Sequence, residues 1–221
     1  NNSARQKRAL DIVIEGLASS GKSTQSDLLA EHIEKKLGLK VFRTREPGGT
    51  EIADSIRQVA QAQKFIHEDM TSLTEAYLYA ASRAQSLPRV TKARLTHDVL
   101  LRDRDVVSSI ANQAFGRELG FETVWQLNSH AIEANDGLPD YYLFIDTPVE
   151  ITINRMNDAV GDKFEEMGQP YHQRVSEGYT FVSQHPIFKD KWIRVDGNGT
   201  VEEVHQKVLK ALLPYLRTRV H

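Results

Sequence analysis

Between positions 16 and 23 the chain reads Gly16-Leu17-Ala18-Ser19-Ser20-Gly21-Lys22-Ser23, which satisfies the spacing G-x-x-x-x-G-K-[ST]. Each part of that spacing has a physical use. Glycines let the backbone bend until successive N–H groups point inward at phosphate oxygens. A helix that starts near the lysine adds the positive end of its dipole. Lys22 can bring a point charge to the β- and γ-phosphates of a nucleoside triphosphate, and the Ser23 hydroxyl can ligate Mg2+. The candidate phosphate-binding residues are therefore Gly16, Ser19, Ser20, Gly21, Lys22, Ser23 and Thr24. An Asn-Lys-x-Asp guanine-reading motif is absent, which counts against a GTPase. The loop alone does not separate kinases, ATPases and inert nucleotide-binding modules.

Such a loop works only between a strand and a helix, and the flanking residues supply both. Residues 10–15, Leu-Asp-Ile-Val-Ile-Glu, are a short β-branched run that reads as a buried parallel strand. Residues 23–37 place Leu28, Leu29, Ile33 and Leu37 at helical spacing, and Gly38 closes the helix. Further strands are expected at 40–44, 99–101, 141–145 and 192–195. Helices are expected at 50–63 (capped by Thr50), 71–86 (ended by Pro88), 121–134, 149–156, from about 171 to 184, and 201–216. Strands alternating with helices imply an α/β, three-layer fold: a five-stranded parallel sheet with helices on both faces. Residues 157–170 are polar, contain Gly161, Gly168 and Pro170, and read as a mobile lid segment.

The whole chain sets bounds on these readings. It has 221 residues, enough for one domain, with 40% hydrophobic and 26% charged residues. The formal net charge of −2 gives no reason to expect a nucleic-acid partner, which would need a basic surplus. There is no cysteine, so disulfides and thiolate metal sites are excluded. No apolar run reaches the ~18 residues of a membrane span. Residues 1–9 open polar and basic and read as a disordered or non-native tail, followed by a single domain over 10–221. A cytoplasmic protein without a membrane partner is expected.

Further segments follow the phosphate loop in a fixed order. They are Thr44-Arg45-Glu46-Pro47-Gly48-Gly49-Thr50; Glu75–Gln85 with Tyr79-Ala80-Ala81-Ser82-Arg83; and Asp103-Arg104-Asp105-Val106-Val107-Ser108-Ser109-Ile110-Ala111-Asn112-Gln113. Pro139-Asp140 with Asp146, and Tyr171-His172-Gln173-Arg174-Val175-Ser176-Glu177-Gly178-Tyr179, complete the set. With Glu15-Gly16 opening the loop, this order resembles the thymidylate kinases, P-loop nucleoside monophosphate kinases, over about residues 10–200. The resemblance implies ATP and Mg2+ as cofactors, dTMP as acceptor, dTTP synthesis as the setting and a homodimer. It implies that Arg45 and Arg104 grip the acceptor phosphate, a task suited to the guanidinium fork. Asp103 would hold Mg2+ through water, with Ser23 as the other metal contact. Tyr79 would stack on the base, while Arg83 and Gln113 would hydrogen-bond its edge. Ser109 would add a polar contact, and Arg155 would lie against adenine. Lys22, Asp103, Arg104 and Lys163 would carry catalysis. On charge alone, the alternating signs of Arg102 to Asp105 equally fit a solvated surface cluster.

The chain departs from the family pattern at three places. Ala18 stands where the family carries an acid. No arginine occurs in the loop or between Asn157 and Gln173, where the family places a catalytic one; Lys163 occupies its position. Asn112 replaces a tyrosine that crowds the sugar 2′ position. Three readings stay open: a thymidylate kinase, a kinase for another, possibly modified, deoxypyrimidine monophosphate, and a weakly catalytic nucleotide-binding module.

Overall fold

The computed structural model describes residues 8–61, 68–157 and 167–220. The elements run β1 (Leu10–Glu15), α1 (Lys22–Leu37), β2 (Val41–Arg45), α2 (Glu51–Ala60), α3 (Ser72–Ala93), β3 (Val99–Asp103), α4 (Val106–Ser109), a π-helical turn (Ile110–Gly116) and α5 (Phe121–Glu133). They continue with β4 (Tyr141–Asp146), α6 (Val149–Asn157), α7 (Gly168–Gln184), β5 (Trp192–Asp196) and α8 (Val201–Leu216). The sheet has five strands in the order β2-β3-β1-β4-β5, and every pairing is parallel. This is the α/β architecture the sequence implies. β1 lies between β3 and β4, so the phosphate loop leaves the sheet at its centre, where open parallel sheets place their ligands.

Side chains alternate across each strand, and two apolar layers result. Ile12 and Ile14 of β1, with Val99, Leu101, Leu143 and Ile145, pack on Leu29 and Ile33 of α1 and Val208 and Leu212 of α8. Val13, Tyr142 and Phe144 pack on the other side with Leu87, Ile132, Tyr179 and Val182 from α3, α5 and α7. Asp11 and Glu15 share the face of Val13, and both are fully buried.

Four details differ from the sequence expectations. Helix α3 runs through Pro88 to Ala93. Proline removes one backbone donor, a loss of about 3 kcal/mol, but Pro88 is exposed and the next turn buries Val90 and Ala93 against Leu100. Residues 106–116, for which no element was expected, form α4 and the π-helical turn. Gly168–Pro170 belong to the first turn of α7 rather than to a loop; a proline there gives up only a donor that has no helical partner. Ala9, assigned to the tail, is 1% exposed and donates its N–H to the Arg94 carbonyl at 2.9 Å. Most of the expected lid, residues 158–166, lies outside the described residues. No helix among the described residues is long and apolar enough to cross a membrane.

Candidate active site

The phosphate loop is shaped by backbone that glycine permits. Gly16 has φ 153°, and a Cβ there would lie 2.7 Å from Ser20 Oγ and 2.8 Å from the Ile145 carbonyl oxygen. Gly21, at φ 93°, is the N-cap of α1. The loop closes on its own lysine: Lys22 Nζ donates to the Leu17 carbonyl at 2.6 Å. Burial, helped by the neighbouring Arg104 guanidinium, lowers the Lys22 pKa to about 7 against the opposing pull of Asp103 and Glu15.

A cleft of about 310 Å³ opens beside this loop. Its floor carries Lys22, Ser23, Asp103 and Arg104, and its walls carry Arg45, Glu46, Tyr79, Ala18 and Asn112. Ser23 Oγ lies 3.4 Å from Asp103 Oδ2, while Asp103 Oδ1 is buried without a hydrogen-bond partner among the described residues. A hydroxyl beside a carboxylate with a bare oxygen is the hard-oxygen set that Mg2+ takes. Among the described residues no group of three or more acidic, His or Cys side chains could hold a metal. A cation here would therefore draw its remaining ligands from phosphate and water.

Arg104 sits at φ 70°, unusual for a residue with a side chain. Its Nη1 donates to Ser108 Oγ at 2.7 Å, Tyr179 Oη at 3.2 Å and the Gly16 carbonyl at 3.2 Å. Burial works against its charge, but Tyr179 and the carboxylates of Glu15 and Asp103 hold its pKa above the ordinary value. Arg45 is more exposed, with Nη2 3.4 Å from Asp54 Oδ1. Tyr79 lines the cleft with its hydroxyl 3.4 Å from Gln61 Nε2, and burial raises its pKa to about 12.

Arg83, Ser109 and Gln113 lie behind this wall, each at most 2% exposed. Arg83 Nε donates to Glu46 Oε2 at 2.7 Å, Nη2 donates to Ser109 Oγ at 3.0 Å, and Nη1 donates to Asn128 Oδ1. Gln113 Nε2 donates to Glu75 Oε1 at 3.0 Å, whereas Gln113 Oε1 has no hydrogen-bond partner among the described residues. Asn112 is clamped: its Nδ2 donates to the Ser108 carbonyl at 2.7 Å and its Oδ1 accepts from Tyr171 Oη at 3.1 Å.

A second cleft, of about 430 Å³, lies across the loop and is lined by Ser19, Ser20, Gly21, Lys22, Ser23, Thr24 and Arg155. Its far wall is Gly197, Gly199, Thr200 and Val201, which sequence reasoning missed because nothing in that short stretch marks a site. Arg155 Nη1 donates to the Ser19 carbonyl at 3.3 Å. Arg174 does not join the site; its Nε and Nη2 are spent on the Gly116 carbonyl at 3.2 and 2.9 Å. Lys163 lies outside the described residues. The sequence reading also gave no role to Glu46, Arg57, Gln61, Ser108, Tyr171 and His172, which all line the first cleft. Arg102 and Asp105 are 2% and 3% exposed, so the alternating charges there are not a solvated cluster.

The comparisons with known proteins agree with this geometry. A family model described as thymidylate kinase matches residues 14–208. A thymidylate kinase of Fervidobacterium nodosum is 34% identical over 206 residues, covering 93% of this chain and 99% of the relative. One from Acholeplasma laidlawii is 38% identical over 209 residues, with 93% and 99% covered. The crystal structure of thymidylate kinase from Ehrlichia chaffeensis superposes with a TM-score of 0.71 at 27% identity, over 93% of this chain and 99% of that one. Motif order, sheet topology, paired clefts and these relatives converge: the chain belongs to the thymidylate kinase family of nucleoside monophosphate kinases.

Proposed function

We propose that this chain transfers the γ-phosphoryl group of ATP to dTMP, giving ADP and dTDP on the route to dTTP in the cytoplasm. The observation that carries the reading is the meeting of Lys22, Ser23, Asp103, Arg45 and Arg104 in one cleft that also contains Tyr79. An oxygen of the acceptor phosphate attacks the γ-phosphorus as the bond to the β,γ-bridging oxygen breaks. Such transfer needs positioning and charge neutralisation more than covalent help from the protein. Arg45 and Arg104 hold the acceptor phosphate, and Tyr79 packs against its base. Arg83 and Gln113, which lie behind the cleft wall, address the base edge when acceptor binding draws that wall aside. The donor lies along the second cleft, with its phosphates in the loop and its base against Arg155. Ser23 and Asp103 would hold Mg2+, which when bound screens the charge shared by the β- and γ-phosphates. Of Arg155 and Arg174, the two arginines that flank the arginine-free lid segment, Arg155 hydrogen-bonds the loop and Arg174 is held by the Gly116 carbonyl.

ADP release measured across dTMP, dUMP, UMP, dCMP, dAMP and dGMP tests the reading. Strong preference for dTMP is expected, and equal turnover of all six, or of none, sinks it. The alternative acceptor, another or modified deoxypyrimidine, is favoured by one observation: Asn112 and Ala18 both line the cleft where the family carries larger or charged side chains. Preference for such an acceptor in the same panel selects it.

The lowered Lys22 pKa gives a pH prediction. Triphosphate binding supplies anions that raise this pKa again, so binding draws in a proton wherever free Lys22 is neutral. ATP affinity should be full below pH about 7 and fall by up to about tenfold per unit as pH rises above it. Titration calorimetry at pH 8 in two buffers of different ionisation enthalpy should report proton uptake. Equal heats in the two buffers would contradict it.

The homodimer is part of the same reading. Ile52 and Val59 of α2 and Leu73 and Tyr77 of α3 are 57%, 44%, 43% and 56% exposed, apolar surface that no other element covers among the described residues. A second copy of the chain covers it. Sedimentation should give a dimer for the native chain and a monomer for Tyr77→Asp; a monomer in both cases removes the proposal.

A further inference from the structure

Arg104 and Glu15 approach to 3.9 Å but do not hydrogen-bond each other directly. Two hydroxyls fill the interval. Ser108 Oγ donates to Glu15 Oε2 at 2.7 Å and accepts from Arg104 Nη1 at 2.7 Å. Tyr179 Oη donates to the same Glu15 Oε2 at 2.9 Å and accepts from the same Arg104 Nη1 at 3.2 Å. Each hydroxyl has one proton to give, and Glu15, being an acceptor, fixes the direction in which both give it. Glu15 is held in turn by the backbone N–H groups of Asp105 at 3.1 Å and Ser108 at 3.2 Å. Tyr179 also sits 3.1 Å from the Gly16 carbonyl, at the first residue of the phosphate loop. Its ring packs against Phe144, 4.9 Å between centroids.

The consequence lies in what remains of Arg104. Every hydrogen bond of its guanidinium to the described residues falls on Nη1, leaving Nε and Nη2 without a partner among them. A guanidinium free to close on Glu15 would form a bidentate ion pair and lose those donors. The two hydroxyls hold it one atom away. Tyr179 belongs to α7, the helix that begins right after the 158–166 segment, so the spacer also links that helix to the loop.

We propose that Tyr179 is a positioning residue for the acceptor phosphate: its hydroxyl, with that of Ser108, spaces Arg104 from Glu15 and keeps Nε and Nη2 presented to the cleft. This rests on the reading of Arg104 as an acceptor-phosphate residue. Tyr179→Phe keeps the ring and removes the hydroxyl. It should raise the KM for dTMP about tenfold, in the range of a lost hydrogen bond to a charged group. The KM for ATP should stay within about twofold, and Tm within a few degrees. Ser108→Ala removes the other spacer and should give the same split between the two substrates, which keeps the proposal testable if Tyr179→Phe does not fold. An unchanged dTMP KM in both variants overturns the proposal, as does a parallel loss for both substrates with a lowered Tm, the pattern of a purely structural tyrosine. Arg104→Lys separates the two levels. If it leaves the dTMP KM unchanged, the assignment of Arg104 itself is wrong; if it raises that KM while Tyr179→Phe and Ser108→Ala do not, only the spacer is wrong.

Discussion

Lys22→Met should lower kcat by about 10³ while leaving the chain folded. Methionine keeps most of the aliphatic stem in its buried place and removes only the ammonium. What is lost is a charge placed where the transferring phosphoryl group gathers negative charge. Arg104 does not substitute: its Nη1 is fixed on Ser108, Tyr179 and Gly16, and in the proposed reading its Nε and Nη2 serve the acceptor phosphate. Stability should move the other way. The folded Lys22 pKa, about 7, lies below its ordinary 10.5, so between those values the unfolded chain binds a proton that the folded chain does not. Native stability therefore carries a penalty from this residue below about pH 7 that is relieved as pH rises toward 10.5. The methionine variant lacks the penalty at every pH. It should melt above the native chain at pH 7, and the gap should shrink at pH 9. Steady-state kinetics with thermal melts at the two pH values checks both parts. A variant with kcat within tenfold of native would show that the loop lysine does not act on the transferred group.

How much of this was legible in the residues depended on whether partners were near in sequence. The phosphate loop is contiguous, and its strand and helix adjoin it, so Gly16 to Thr24 could be assigned at once. β1, β3 and β4 were legible as short apolar runs, β2 and β5 as short β-branched and aromatic stretches broken by charges, and strict β-α alternation leaves a parallel sheet as the natural arrangement. Asp11 and Glu15 were not legible. In a strand read as Leu-Asp-Ile-Val-Ile-Glu they look like two ordinary acids, and their burial is decided by partners far away: Arg94 and Arg102 for one, Ser108 and Tyr179 for the other. Nothing local marks the pairing, because it arises from the alternation of β1 meeting the alternation of β3 in register, Val13 opposite Arg102. The π-helical turn was missed for a related reason. Ile110 to Gly116 has no side-chain cap, and its end needs a glycine because a Cβ at Gly116 would lie 2.6 Å from the Tyr171 ring. That contact is made with α7, more than fifty residues on.

The same hidden pairing yields the largest expected change in stability. Asp11→Ala should destabilise the chain by about 3–5 kcal/mol, the range for a buried ion pair stripped of one partner. Asp11 is 0% exposed and serves two arginines that are themselves almost wholly buried. Oδ2 accepts from Arg94 Nη2 at 2.6 Å and Nε at 3.2 Å, and Oδ1 accepts from Arg102 Nε at 3.0 Å. Alanine would leave both cations in a low-dielectric layer with one fewer anion. The melting temperature should fall by about 10 °C for a chain of this size. Removing a cation along with the acid should recover part of the loss, since a buried charge group replaced by apolar side chains is often neutral. Asp11→Ala with Arg94→Met should therefore melt above Asp11→Ala alone. The effect should also reach the site. Arg102 lies 3.8 Å from Glu46 Oε1 in the cleft wall and 3.4 Å from Asp105 Oδ2. Asp105 caps α4 through the Val107 N–H at 2.9 Å and accepts from Tyr142 Oη at 3.0 Å. An Arg102 released from Asp11 would pull harder on Glu46 and Asp105, moving the wall that Arg83 braces and the helix that carries Ser108 and Ser109. The KM for dTMP should rise more than the KM for ATP in the folded fraction. Chemical denaturation and kinetics on the same samples decide it: a loss below about 1 kcal/mol would mean that the two arginines find other partners, and that this acid is not what holds the central strands to the site.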